Sequence, residues 1–202
     1  IPFGIAQIGK AFRNEITPGN FIFRTIEFEQ MEHQWFCKEG TDVEYYEEYK
    51  KCAWDFLLSL GFKEENLRFH DHDKLAHYAK AACDIQYQYP IGWEELNGIH
   101  HRGDWDLSRH QEFSGKSMLY LDPYTNEKYI PNVIEYSIGA DRLTLAVLCE
   151  AYDEETIAEG DIFESVVYDK EYLCSYRFVE GYYIVGAMPK YEAMFMKEVS
   201  VY

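Results

Sequence analysis

The chain has 202 residues, 47% of them hydrophobic and 17% aromatic, so it can bury one sizeable core and accommodate a second small unit. Its 19 Lys and Arg against 36 Asp and Glu give a formal charge of −17, which excludes broad nonspecific affinity for phosphate backbones, because that requires clustered cations. Apolar stretches such as Leu143 to Cys149 are far shorter than a bilayer span, and cysteines at 37, 52, 83, 149 and 174 show no paired short spacing, so the expectation is a cytoplasmic protein with no membrane partner and with buried thiols.

In chain order, residues 11–36 (AFRNEITPGNFIFRTIEFEQMEHQWF) carry two runs of alternating residue type about Pro18-Gly19-Asn20. Proline presets one dihedral and Gly-Asn tolerates positive φ, so the runs are expected to pair as antiparallel strands around that turn. Side chains two apart then share a face. Arg13 joins Glu15 on one strand, and Phe28, Gln30 and Glu32 line up on the other, with Phe28 and Glu32 roughly 13 Å apart. A helix is expected over 41–61, with Thr41 and Glu44 as a capping box and Gly61 as its stop. Tyr46, Tyr49, Ala53, Phe56, Leu57 and Leu60 would form its apolar stripe. The pattern then predicts a helix over 73–82, strands over 84–89, 93–99 and 104–107, and a hairpin of 118–121 with 128–130 turning at Asn126. A strand over 132–137 and a helix over 141–151 follow. Residues 161–202 alternate in short runs such as Tyr182-Tyr183-Ile184-Val185, and read as strands packing on the preceding domain.

Three carboxylates, Glu32, Glu95 and Glu135, fall on strands that would otherwise be core, where burial is costly without a cation or other partner. Histidines at 70, 72, 77, 100 and 101, near Asp71 and Asp73, have metal-ligand spacing on paper, but solvated loop and helix positions explain them.

Three segments carry a family resemblance. FRNEITPGNF followed by EFEQME resembles motif 2 of the class II aminoacyl-tRNA synthetases and, within that class, the glycyl-tRNA synthetases. Residues 74–110 (KLAHYAKAACDIQYQYPIGWEELNGIHHRGDWDLSRH) are similar to the strand region between motifs 2 and 3, and residues 133–155 (VIEYSIGADRLTLAVLCEAYDEE) to motif 3. Three segments in family order are more specific than any one of them. The resemblance implies an α+β core over residues 1–155, an antiparallel sheet flanked by helices, with 156–202 left as an unassigned tail. Motif 1, which builds the family's dimer interface, has no match, and the tail does not resemble the family's anticodon-binding domain. The chain therefore reads as a fragment of a homodimeric enzyme.

The activity implied is that of a glycine–tRNA ligase: ATP- and Mg²⁺-dependent conversion of glycine to glycyl-adenylate, then transfer to tRNA(Gly). Such chemistry brings a carboxylate to the α-phosphate and expels pyrophosphate, so arginines and a metal must neutralise clustered charge. The resemblance gives Arg13 the α-phosphate and incoming carboxylate, Glu15 the adenine amino group, and Phe28 the adenine ring. Arg142 would meet the other adenine face or the γ-phosphate, and these two arginines would be catalytic. Asn14, Phe23, Arg24, Leu96, Gly139 and Asp141 complete the implied ATP site, with Glu95 acting through Mg²⁺. Glu32 and Glu135 would take the glycine ammonium beside Ser137, surrounded by Phe28, Glu29, Gln30, Met31, Arg102 and Gly139.

Blander readings stand beside these. Arg13 would be a surface ion pair with Glu15 or Glu27, Phe28 a core residue, Arg142 a helix-start bridge to Asp141, and the three glutamates partners of Arg102 or another strand cation. Gly19 and Ile26 occupy positions where relatives commonly carry arginine, and Tyr136 one where a smaller or cyclic residue is usual. Two rival functions remain open: a non-catalytic synthetase-like paralogue or accessory binding module, and an amino-acid adenylating enzyme with a non-tRNA acceptor.

Overall fold

The computed structural model describes residues 1–19 and 21–158 and the strands at 161–168, 171–179, 182–187 and 199–200, with side chains described up to residue 154. Asn20 of the expected turn lies outside the described residues. The chain forms two compact units, Ile1–Ala146 and Val147–Tyr202, divided ahead of the boundary at 155 expected from the sequence.

Along the chain run β1 (Phe3–Phe12), β2 (Glu27–Cys37), α1 (Asp42–Ser59), β3 (Leu67–Asp71), β4 (Ala81–Tyr89), β5 (Gly92–Gly103), α2 (Trp105–Ser114), β6 (Tyr120–Leu121), β7 (Lys128–Tyr129), β8 (Asn132–Gly139) and α3 (Ala140–Ala151). Six of the strands make one antiparallel sheet in the order β1-β2-β8-β5-β4-β3, while β6 and β7 form the small hairpin read from the sequence. The fold class is α+β. No helix among the described residues is long and apolar enough to cross a membrane.

One face of the sheet is covered by α1, whose Tyr46, Ala53 and Leu57 are buried with Ile85, Ile99 and Ile134 from the strands. Because strand side chains alternate, this buried set fixes which residues face the other way. Cys37 and Cys83 are buried thiols, whereas Cys52 is exposed.

Several sequence expectations are corrected. Strands β1 and β2 pair antiparallel on either side of Pro18-Gly19, as expected, but the ladder stops at Phe12 and Glu27, short of Arg13 and Glu15, and the described residues between them form a long connection closed by a Gly19–Arg24 bridge. Thr41 makes no capping box: its Oγ1 donates to the Lys38 carbonyl at 2.8 Å, and Asp42 Oδ1 instead accepts from the Gly40 N–H at 2.7 Å. Phe56 is 39% exposed and lies off the buried stripe, while Gly61, at φ +94°, does stop the helix.

The helix expected over 73–82 is absent. Ala81 and Ala82 open β4 by pairing with His101 and His100, and the His72 N–H bonds the Ala82 carbonyl at 3.0 Å. Sheet pairing satisfies these backbone groups and overrides a weak helical propensity. The strand edge expected over 104–107 is the start of α2. Gly103 turns at φ +61°, Asp104 occupies the N-cap position without a side-chain capping bond, and Arg102–Asp106 and Ser108–Asp104 pair at helical spacing.

A buried polar node ties α1 to the sheet. Asp42, 5% exposed, accepts from His101 Nε2 at 2.8 Å and Asn132 Nδ2 at 2.9 Å, so the helix start is bonded to both β5 and β8. His101 Nδ1 accepts from the Gly103 N–H at 3.1 Å, so a neutral imidazole with its proton on Nε2 satisfies both contacts. His101 is thus a structural histidine, 3% exposed, rather than a solvated one. Burial alone would raise the Asp42 pKa, but hydrogen bonds from Gly40, its own backbone N–H and His101 outweigh it and hold the carboxyl below the ordinary carboxylate range.

The second unit is an antiparallel sheet of β9 (Tyr152–Ala158), β10 (Asp161–Tyr168), β11 (Glu171–Val179), β12 (Tyr182–Ala187) and β13 (Val199–Ser200), in the order β13-β12-β11-β10-β9. The side chains that would pack the tail expected from 161 onward lie outside the described residues.

Replacing Asp42 by Ala orphans buried donors on two strands, and unfolding free energy in urea is expected to fall by about 3 kcal/mol. Since its folded pKa is depressed, the Asp42 contribution is present above the ordinary carboxylate value and is lost as pH falls through the lowered folded one. A variant as stable as wild type near neutral pH would remove the node from the supports of the fold.

Candidate active site

The loop after β1 is organised by a few bonds. The Arg13 N–H extends the β1–β2 ladder by one bond to the Ile26 carbonyl at 2.9 Å, and Phe23, 9% exposed, folds back edge-on against Tyr89 at 4.9 Å. Arg142, in the first turn of α3, fastens that fold-back. Its guanidinium sits 5.2 Å from the Phe23 ring, donates to the Phe23 carbonyl at 2.8 Å and the Glu95 carbonyl at 3.0 Å, and pairs with the Glu95 carboxylate at 3.2 Å. The Tyr89 hydroxyl caps the arrangement by donating to the Arg142 carbonyl at 3.1 Å.

Loop, β2 and α3 together wall a hollow. Arg13, Glu15, Phe23, Arg24, Phe28 and Glu29 line one side, and Glu95, Gly139, Asp141 and Arg142 the other. Glu15 pairs with Arg24 at 3.7 Å. Glu27 pairs with Lys10, and Arg13 makes no ion pair among the described residues; its guanidinium lies 5.3 Å from the Phe28 ring centroid. An arginine with no anion beside an aromatic face is suited to an incoming anion on a planar ring.

Four residues of that hollow, Arg13, Gln30, Glu95 and Ser137, also wall a second one farther across the open face of the sheet. The strand register assembles it. Glu32 is opposite Ser137, Ser137 opposite Gly98, and Gly98 opposite Asp84; one row on, Gln34 is opposite Glu135 and Glu135 opposite His100. Gly98 keeps the floor open, since a Cβ there would come within 2.9 Å of the His100 ring and 3.4 Å of Ser137 Oγ.

Charge in this second hollow is unevenly compensated. Glu135 receives Arg102 Nη1 at 2.8 Å and Gln34 Nε2 at 2.9 Å, with His100 Nδ1 at 3.2 Å. Burial would raise its pKa, but hydrogen bonds from His100 and Gln34 and the Arg102 charge bring it down to about 2. Arg102 is itself fully engaged, bonding Asp106 at 2.7 and 3.2 Å and lying 4.3 Å from the Tyr78 ring centroid. Glu32 has only amide donors, Gln30 and Gln34, and no cation among the described residues. Asp84 is pushed above the ordinary carboxylate range by burial and then by the Glu95 charge, against the pull of His72 Nε2 at 2.7 Å.

The tRNA synthetase class II core domain (G, H, P, S and T) family matches residues 1–152. The chain belongs to that family. It is 62% identical over 164 residues to a glycine–tRNA ligase of Clostridium kluyveri, a match covering 80% of this chain and 35% of that protein. The chain thus spans about a third of the length of the curated relatives it matches. Among solved structures it is similar to seryl-tRNA synthetase from Pyrococcus horikoshii complexed with ATP, at TM-score 0.65 and 17% identity over 76% of this chain and 34% of that one. Giardia lamblia prolyl-tRNA synthetase in complex with prolyl-adenylate gives TM-score 0.59 and 22% identity over 73% of this chain and 29% of that one. These two likenesses concern the fold.

Within this class II core, most of the residues singled out from the sequence line one of the two hollows, but three do not. Asn14 is exposed beside them, Leu96 is a core side chain 1% exposed, and Met31 points to the α1 face, one residue out of phase with Gln30 and Glu32. Arg142 bridges Glu95 rather than Asp141, and Glu135 does pair with Arg102. Tyr136, between Glu135 and Ser137, alternates away from the cleft. Sequence reasoning missed Gln34, Tyr78 and Asp106, and read His100 as solvated where it lies on β5 and lines the second hollow. Gln34 was within reach as the next same-face position after Gln30 and Glu32, whereas Asp106 meets Arg102 only because α2 is helical.

The Glu135 pKa is depressed, so its contribution to stability is present above the ordinary glutamate value and lost as pH falls from about 4.5 toward about 2. Urea unfolding across that window should show a steeper loss of stability with falling pH in the wild type than in the Glu135→Gln variant. Equal slopes in the two proteins would contradict the geometry around this carboxylate.

Proposed function

We propose that this chain is the catalytic core of a glycine–tRNA ligase, which uses ATP to convert glycine to glycyl-adenylate and transfers the glycyl group to tRNA(Gly). The observation that carries the reading is Arg13, an arginine without an ion-pair partner among the described residues, at the junction of an aromatic- and arginine-lined hollow and a carboxylate-lined one. The 62% identity to a glycine–tRNA ligase supports the same assignment.

In this mechanism Phe28 stacks on adenine, Glu15 accepts from its amino group, and Arg142 covers the opposite side. Glu32 and Glu135 take the glycine ammonium beside Ser137. The glycine carboxylate then lies toward Arg13, whose planar fork bonds both it and the α-phosphate. A carboxylate oxygen attacks the α-phosphorus, the bond to the pyrophosphate oxygen breaks, and Arg13 meets charge that builds as two anions approach. Glu95, 48% exposed at its side chain, presents the hard oxygen donor that suits Mg²⁺ and would hold the ion, which supplies neutralisation of the phosphates. The enzyme is proposed to be a cytoplasmic homodimer.

The test is glycine-dependent ATP–pyrophosphate exchange by the full-length protein, with alanine and serine as controls. Exchange is expected with glycine alone, and Arg13→Ala is expected to lower it roughly 100-fold or more with an unchanged circular dichroism spectrum. Wild-type exchange in that variant would refute the role given to Arg13. Exchange without charging of tRNA(Gly) would favour an adenylating enzyme with another acceptor.

A further inference from the structure

Glu32 and Glu135 carry like charge on neighbouring strands of the same face, which ordinarily drives one of two carboxylates to keep a proton. Between them stands the Gln34 side-chain amide. Its nitrogen donates to Glu32 Oε1 at 2.6 Å and to Glu135 Oε2 at 2.9 Å, which uses both hydrogens of the amide. The network also fixes how the amide is oriented, because the flipped form would aim its oxygen at two anions.

The two carboxylates differ in what else they hold. Glu135 is further bound by Arg102, so its charge is already compensated. Among the described residues Glu32 has, besides Gln34, only a second amide, that of Gln30, so its charge is left for a ligand.

We propose that Gln34 is a positioning residue of the amino-acid subsite: it clamps Glu32 and Glu135 at a fixed separation, and so holds Glu32 as the carboxylate that the ligand ammonium meets. This rests on the glycine-ligase reading of the same cleft and adds the residue that prepares it. Glycine offers no side chain to grip. Its affinity depends on an ammonium site that needs no rearrangement on binding, and a neutral amide achieves this without adding a cation that would repel the ligand.

The test compares wild type, Gln34→Leu and Gln34→Glu in the full-length protein by ATP–pyrophosphate exchange. Leucine keeps most of the bulk without donors, and glutamate keeps the shape while replacing donors with acceptors. Both are expected to raise the KM for glycine about tenfold, the effect of losing one hydrogen bond to a charged group, while the KM for ATP and kcat stay within about twofold. An unchanged glycine KM in both variants would overturn the clamp, as would a parallel loss of ATP binding and kcat, which marks a general structural role. Absence of glycine-dependent exchange in the wild type would instead overturn the ligase reading itself.

Discussion

The strand-borne polar side chains of the cleft stand where they do because β2, β8, β5 and β4 are locked in one antiparallel register. A slip of one residue would carry Glu32 and Glu135 under α1 and turn Trp35 and Ile134 toward water. The lock is on the opposite face. There Trp35 packs against Tyr45 and His33 against Tyr49, and Asp42 joins the start of α1 to His101 of β5 and Asn132 of β8. The adjacent histidines show the division of labour: His101 belongs to the node beneath the sheet, and His100, one residue earlier, to the cleft above it. The sheet can hold an electrostatically expensive face because its other face supplies the burial.

The overall charge of −17 says little about this cleft. Arg13 and Arg142 enter from the loop and the start of α3, whereas Glu32 and Glu135 rise from the strands, where Arg102 is already paired with Glu135. Arginines there do different work. Arg102 holds Glu135, Asp106 and the Tyr78 ring, which makes it a strut between β5 and α2, while Arg13 keeps its guanidinium for something that arrives. A shielded pair such as Arg102–Glu135 adds modestly to net stability, because desolvation offsets the attraction; what it contributes is a fixed carboxylate.

Much of the fold was legible from period alone. The two-residue alternation marked β4 and β8, and a helical stripe ended by Gly61 marked α1. What failed did so for identifiable reasons. Residues 73–82 look helical in isolation, but Ala81 and Ala82 gain partners in β5, and no local signal reports a strand that arrives later in the chain. The start of α2 depends on Gly103 taking positive φ. The Asp42 node joins residues 59 and 90 positions apart, beyond any local pattern. In the site, charged and aromatic residues drew attention because their cost demanded an explanation. Gln34 did not, since a neutral amide on a strand carries no such signal until its two acceptors are seen.

The two hollows are built by different means, and the difference follows from what each would hold. The acidic one stands on central strands, with Glu135 hydrogen-bonded to Arg102 and Gln34, so its geometry is set before any ligand enters. The other is closed by the loop of residues 13–26, held down by Phe23 on Tyr89 and by Arg142. A nucleotide offers a ring and several anions, enough contacts to organise a loop around itself. A ligand as small as glycine offers two charged ends, and the ordering it could drive is correspondingly slight, so preorganisation has to come from the scaffold. Arg13 stands at the seam, where it borders both hollows: its backbone is tied to the end of the β1–β2 ladder through Ile26, and its side chain has no anion beside it among the described residues.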